Sequence, residues 1–258
     1  MYRSYTAADY KKHLGLPDDY RVDGFFTYGT WNRTKQTAIL NQVIGRMDKK
    51  VETCELTSFL SRMVELRIDG KVIWFDVSYG GAMLSEFIHL ACLFGSKQNI
   101  LLGSCGGLSA DVTMGDFIVP DWSYGSESST RMYQKTIVDY KFHSDSTSNQ
   151  AIIQKLPSSH KFWTGPTMTC QAMMAETWED VQEWSDAGYL GVEMEAATVF
   201  AVSNHFGVPS SALLMMTDNL IKEETVFSEN YQEFNTKIRD TLLKLQYRIA
   251  LEVLLEEA

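Results

Sequence analysis

The sequence predicts an α/β protein of three layers, with a central mixed, largely parallel sheet flanked by helices. Three observations predict it. Short apolar runs bounded by Gly, Pro, Asp or Ser recur along the chain, segments of helical periodicity lie between them, and the C-terminal region carries a long amphipathic pattern. The strand candidates are Phe25–Tyr28, Val72–Tyr79, Asn99–Leu102, Asp116–Pro120, Lys161–Thr164, Leu190–Met194 and Ala212–Met216, several rich in β-branched or aromatic residues. The helix candidates are Lys35–Met47, Ser85–Phe94, Ala175–Ala187 and Ala196–Phe206. Their alternation is what βαβ units with helices on both faces require.

At the C-terminus, Phe234, Ile238, Leu242, Leu245, Ile249 and Val253 are spaced by three or four, as one face of a single long helix demands. Ser123–Ser148 is rich in Ser, Tyr and Asp without clear periodicity and reads as a loop excursion over the sheet edge. No repeat, linker or low-complexity tract divides the chain, so residues 1–258 are expected to form one domain.

Composition narrows the function. The formal net charge is -10 and the Lys/Arg residues form no cluster, which argues against a nucleic-acid partner, since such proteins present basic surface. An anionic substrate would need a local basic pocket. No apolar run approaches the ~20 residues of a membrane helix, and the first residues lack an apolar signal-peptide core. A cytoplasmic protein with no membrane partner is expected. Cys54, Cys92, Cys105 and Cys170 are widely spaced, without CxxC or a His at zinc-ligand intervals, and read as reduced, mostly buried thiols with no metal site.

Several strand ends carry residues suited to chemistry. Gly103-Ser-Cys-Gly-Gly-Leu108 follows the strand Asn99–Leu102 and offers small residues and free N–H groups where α/β folds keep their ligand crevice; it serves equally as a tight strand-ending turn. It is neither a Walker loop nor a dinucleotide fingerprint. Gly29-Thr-Trp-Asn-Arg33 likewise joins a strand to a helix, and Arg33 adds a fixed cation suited to phosphate; an ordinary helix start capped by Thr30 or Asn32 fits the same residues. Glu193 and Glu195 flank Met194 at a strand end. Strand alternation puts both acids on one face unless the strand breaks there, and buried like charges are costly without partners. Asp218 closes the most hydrophobic strand, where desolvation can raise a carboxyl into the range of a proton donor; a turn or cap is its other reading. His13, in Lys-His-Leu-Gly-Leu, reads by itself as a surface histidine.

Together these residues resemble the nucleoside phosphorylase-I family, which holds the hexameric-type purine nucleoside phosphorylases and the uridine phosphorylases. His-Leu-Gly-Leu at 13–16, G-x-x-x-R at 29–33, Gly-Ser-Cys-Gly-Gly at 103–107, Val-Glu-Met-Glu-Ala-Ala at 192–197 and Thr-Asp at 217–218 occur in the family's order and near its spacing, with the Val-Glu-Met-Glu-Ala motif the most specific. The resemblance implies a nucleoside phosphorylase-like fold, nucleoside and phosphate as substrates, and no cofactor beyond phosphate as co-substrate. It assigns phosphate to Gly29, Arg33 and Ser104, the ribose to Met194, Glu195 and His13, the base to Met168, Gln171 and Glu193, and the catalytic proton to Asp218. His13 would serve the neighbouring subunit, so the expected assembly is a homo-oligomer built from dimers, up to a hexamer.

The chemistry needs these residue types. Cleaving the bond at C1′ builds positive charge on the sugar and negative charge on the base, so an anion beside the sugar and a donor at the base both stabilise the transition state. Gln171 without a companion Arg in Thr169–Ala175, together with Asp218, turns the reading toward purines. Two positions depart from the family pattern: Leu101 stands where an Arg precedes the phosphate serine, and Phe59 near a second basic position. Loss of one bidentate Arg contact weakens phosphate binding by ~2 kcal/mol or more. A nucleosidase using water, a uridine phosphorylase and a non-catalytic nucleoside-binding relative are the alternatives.

Overall fold

The computed structural model describes residues 1–136 and 138–256. The chain enters through α1 (Ala7–Leu14), started by a capping box between Thr6 and Asp9 and stopped by Gly15 in the left-handed conformation. It continues through β1 (Gly24–Gly29), α2 (Arg33–Ile44, capped by Asn32), β2 (Val51–Glu55), β3 (Val64–Ile68), β4 (Lys71–Ser78) and α3 (Gly81–Leu93). β5 (Asn99–Gly107) and β6 (Phe117–Tyr124) follow, then α4 (Ser128–Tyr133), β7 (Lys141–His143) and α5 (Ser146–Lys155). The last third holds β8 (Phe162–Thr169), α6 (Trp178–Asp186), β9 (Gly191–Glu193), α7 (Ala196–Phe206), β10 (Ser210–Asn219), α8 (Glu229–Lys237) and α9 (Arg239–Leu255).

The two-residue repeat of the strands builds the layers. On β1, β5 and β10, Phe25, Leu101, Ala212 and Leu214 pack with α3 and α7, while Phe26, Tyr28, Ile100, Leu102, Leu213 and Met215 pack with α2 and α9. Each buried side chain of this size contributes roughly 1.5–3 kcal/mol of transfer free energy. The sheet is mixed. β5 pairs parallel with β1 and β10, β1 with β4, and β8 with β6 and β9. The β2–β3–β4 end is antiparallel, as are the short β10–β6 and β5–β9 pairings. Those last two close β5, β10, β6, β8 and β9 into a ring within the sheet.

Two expectations are corrected here. Ser123–Ser148 is not a loop: β6 runs on to Tyr124, α4 and the edge strand β7 follow, and α5 has begun by Ser146. Each piece spans only a turn or two, or three residues, too short to impose a period on the sequence. The C-terminal helix is not continuous either. It breaks at Ile238 (φ -118°, ψ -42°), whose side chain is 47% exposed instead of lying on the apolar face. The three-four spacing survives because α8 and α9 each bury one face, and spacing reports burial, not unbroken hydrogen bonding. Cys54 is exposed and Cys170 only partly buried, so two of the four thiols depart from the expected burial.

Candidate active site

A cavity of about 710 Å³ opens at the C-terminal ends of β1, β5 and β10, the usual place for a ligand in a sheet of this kind. The Glu193-Met194-Glu195 segment forms one wall. β9 ends at Glu193 and α7 begins at Ala196, so the two acids do not share a strand face. Glu193 turns inward. Its carboxylate accepts from the backbone N–H of Glu195 (2.7 Å) and Ala196 (2.6 Å), and from the hydroxyls of Thr169 and Ser123. It is thereby an anion at a helix N-terminus, a favourable placement, and the base-binding role expected of Glu193 finds its carboxylate already occupied. Burial still lifts this carboxyl to about 7.

Glu195 points the other way, toward β1. Its Oε1 accepts from the N–H of Gly80 at 2.7 Å, and its Oε2 lies against Gly29 so closely that a Cβ on residue 29 would fall inside the carboxylate. Glycine at position 29 is therefore favoured by this contact and not by its backbone angles, since any side chain would have to displace the carboxylate. Burial, then repulsion from Glu193, raises the Glu195 carboxyl to about 8. With a single hydrogen bond from Gly80, it retains acceptor capacity for a ligand's hydroxyls. Gln171 braces this wall: its amide donates to the Met194 carbonyl (2.7 Å) and accepts from the Gly81 N–H (2.9 Å). It does not line the cavity, so its amide positions Met194 instead of facing a base.

Asp218 lies across the cavity on β10. The β10–β5 register slips between Met216 and Asp218, making Thr217 an extra residue, and such a bulge re-aims the side chain that follows. Burial lifts the Asp218 carboxyl to about 6, opposed by the Thr217 hydroxyl and the Arg239 guanidinium. Glu176, on the same side, is also raised, by burial first. Cys105 lines the cavity as a protonated thiol, pushed well above its ordinary range by burial.

At the third end, Ser104 Oγ lies 3.3 Å from the Tyr28 hydroxyl and 3.4 Å from Arg239 Nη2. Leu101, three residues earlier, is buried in the core. Arg33 does not line the cavity: its guanidinium donates to the Arg62 carbonyl and sits 3.8 Å from the buried Asp76. The structure thus brings together Gly29, Ser104, Met194, Glu195 and Asp218, and leaves Arg33 outside. Met168 is likewise displaced, buried in a small cluster with Leu108, Val181 and Val192, while Met173 in the turn after β8 reaches the cavity. His13 is exposed on the last turn of α1, away from this cavity.

Sequence reasoning missed Arg239 and Glu176. A trace of Arg239 was present, since a cation in a helix's first turn opposes the macrodipole and asks for another reason. The break at Ile238 that creates that first turn was hidden by the continuous spacing.

The family model described as the phosphorylase superfamily matches residues 69–250, most of the chain. The chain belongs to that superfamily. It is an enzyme of the nucleoside phosphorylase group. It is 24% identical over 214 residues to the guanosine phosphorylase of Halorubrum lacusprofundi, covering 80% of this chain and 88% of the relative. It is 26% identical over 168 residues to the purine nucleoside phosphorylase DeoD-type 2 of Vibrio cholerae, covering 61% and 68%. Among solved structures it is similar to a uridine phosphorylase from Vibrio fischeri crystallised with 6-hydroxy-1-naphthoic acid, at a TM-score of 0.68 and 20% identity, covering 93% of each chain. That likeness bears on the fold. Among the described residues, no helix of this phosphorylase is long and apolar enough to cross a membrane.

Proposed function

We propose that this enzyme cleaves the N-glycosidic bond of purine nucleosides with phosphate, releasing the base and a (deoxy)ribose 1-phosphate. The observation that carries the reading is the facing pair of carboxyls in one cavity: Glu195, with acceptor capacity left beside Met194, and Asp218, raised to about 6 where a base would leave. Glu195 accepts hydrogen bonds from the sugar's 2′- and 3′-hydroxyls while Met194 packs on its ring. A phosphate oxygen bonds to C1′ as the C1′–N9 bond breaks, the bonding pair passes to the base, and Asp218 gives its proton to N7. Fixing the sugar and protonating the leaving group each lower the barrier, the proton by roughly 10²–10⁴-fold. The guanosine and purine phosphorylases among its relatives favour a purine. We place the enzyme in cytoplasmic nucleoside catabolism and purine salvage. His13, exposed on α1, fits a role at a neighbouring subunit's sugar, so the working unit is a homo-oligomer built from dimers.

Water as the nucleophile is the second reading, favoured by the burial of Leu101 and the engagement of Arg33 with Arg62 and Asp76. Incubation with inosine, guanosine, adenosine and uridine, with and without phosphate, tests both. Release of base and sugar 1-phosphate from the purine nucleosides is expected only with phosphate. Turnover indifferent to phosphate, or confined to uridine, overturns the proposal.

A further inference from the structure

We infer that the base end of this cavity takes purine nucleosides that carry an apolar substituent on the exocyclic nitrogen at C6. The inference rests on the purine reading above and names the substrate class of the same site. The fold leaves four large apolar side chains uncovered here. Met174 (87% exposed) stands in the short turn Met173–Ala175 after β8, Trp178 opens α6, and Val226 and Phe227 (92% exposed) belong to the segment before α8. All four line the cavity, so two stretches of chain far apart in sequence bring apolar surface to one space. Exposed apolar groups gathered in this way mark a place where something binds. At the Glu195 end the exposed rings differ, because Trp31 and Tyr79 pack on each other with centroids 5.2 Å apart. Phe227 covers almost nothing of its own chain.

Purine chemistry selects what would reach this wall. N7 and the group on C6 share one edge of the base, and C6 lies in the other ring from N9, which carries the sugar. With the sugar on Glu195 and N7 at Asp218, a substituent on C6 therefore runs past Asp218 and away from the sugar. Glu176 stands in that direction: its carboxyl is raised by burial first and by the nearby Asp218 besides, and it lies two residues from both Met174 and Trp178.

A singly substituted amine keeps one N–H, which the Glu176 carboxyl would accept. The apolar group beyond it would then meet Met174, Trp178 and Phe227 and take their surface out of water with its own. For a benzyl group that transfer is worth roughly tenfold or more in binding.

The test compares N6-benzyladenosine with adenosine on the full chain in phosphate. Cleavage releases 6-benzylaminopurine, with the Asp218 proton at N7, and ribose 1-phosphate. The ratio of kcat/KM for the benzyl compound to that for adenosine is expected above one, by roughly tenfold. Phe227→Ala and Trp178→Ala should each lower that ratio about threefold or more. Both side chains are exposed, so neither variant is expected to lose its fold, which thermal melting checks. A ratio below one overturns the inference, and is the outcome expected if a second copy of the chain covers this wall. A ratio that both variants leave unchanged overturns it too. Titration with 6-benzylaminopurine and with adenine needs no turnover: the benzyl base should bind more tightly, with the difference reduced in both variants, and equal binding of the two bases counts against the inference. Cleavage of adenosine but not of the benzyl compound leaves the purine reading standing and sinks the apolar subsite. Cleavage of neither nucleoside, with the benzyl base still preferred through Phe227 and Trp178, sinks the purine phosphorolysis reading and leaves the subsite standing.

Discussion

At the Glu195 end of the cavity the side chains are held by backbone groups of the strand and helix ends, whereas at the Asp218 end the wall includes exposed side chains of turns. Glu195 is buried, held by the Gly80 N–H and fitted against Gly29, and Gln171 ties Met194 to the start of α3. Across the cavity, Asp218 and Glu176 share a wall with Trp178, 57% exposed, and Phe227, 92% exposed. Rigid strand and helix ends build the first region; turns and the segment before α8 build much of the second. On the function proposed above, the contrast would have the fold itself position the sugar and leave the choice of base to side chains that can change without disturbing the core.

The largest test of this contrast is Glu195→Ala. It should lower kcat/KM for a purine nucleoside by on the order of 10³-fold, as expected for two hydrogen bonds to a carboxyl that the sugar's hydroxyls, by bonding its charged form, draw back toward ionisation; a loss under tenfold would mean the sugar is held elsewhere. Asp218→Asn should cost roughly 10²-fold or more on inosine, yet under about tenfold on 7-methylguanosine, whose cationic base leaves without a proton. Equal losses on both substrates would remove Asp218 from the proton transfer.

Gly29→Ala tests rigidity directly. The added methyl meets the Glu195 carboxylate, so a loss of about 1–3 kcal/mol is expected, read as a lowered melting temperature. A variant as stable as wild type would show that the sugar wall gives way.

The same wall predicts a pH effect. The Glu195 carboxyl sits at about 8 in the folded chain and near its ordinary 4.5 when unfolded. Between those values the folded state binds the extra proton, so stability falls as pH rises from about 4.5 to about 8. Glu195→Gln should therefore melt higher than wild type at pH 8 and nearly level with it at pH 5. A constant difference across that range would refute the raised carboxyl. The smallest effect is expected at Glu176→Gln, which should shift the preference between guanosine and adenosine by less than about tenfold, the scale of one neutral hydrogen bond.

Legibility in the sequence follows the same division. Gly29, Ser104, Met194, Glu195 and Asp218 each end or follow an apolar strand, and a parallel sheet gathers such ends at one crevice, so local pattern marks them as candidates for one cavity while their expected roles come from the family resemblance alone. Arg33 also follows a strand, but its direction is set by Asp76 and Arg62, which only β4 and the turn before β3 bring near. Met168 lies among the last three residues of β8, all of them buried, and packs against Leu108, Val181 and Val192, while in this part of the chain Met173, past the strand's end, reaches the cavity. Arg239 depends on a helix break that no Gly or Pro announces and on an approach to Ser104 across 135 residues of chain. The three layers, by contrast, rest on alternation and periodicity repeated many times over, which short polar elements such as β7 do not supply.

The contact between Gly29 and Glu195 also has a historical side. A side chain at residue 29 would have to push the Glu195 carboxylate from its present place, so the two positions, 166 residues apart, constrain one another. Loss of the acid would free the glycine to change, and a side chain gained at position 29 would require the carboxylate to take another place. In descendants of this chain, the identity of residue 29 would therefore report whether the acid still stands where it does here.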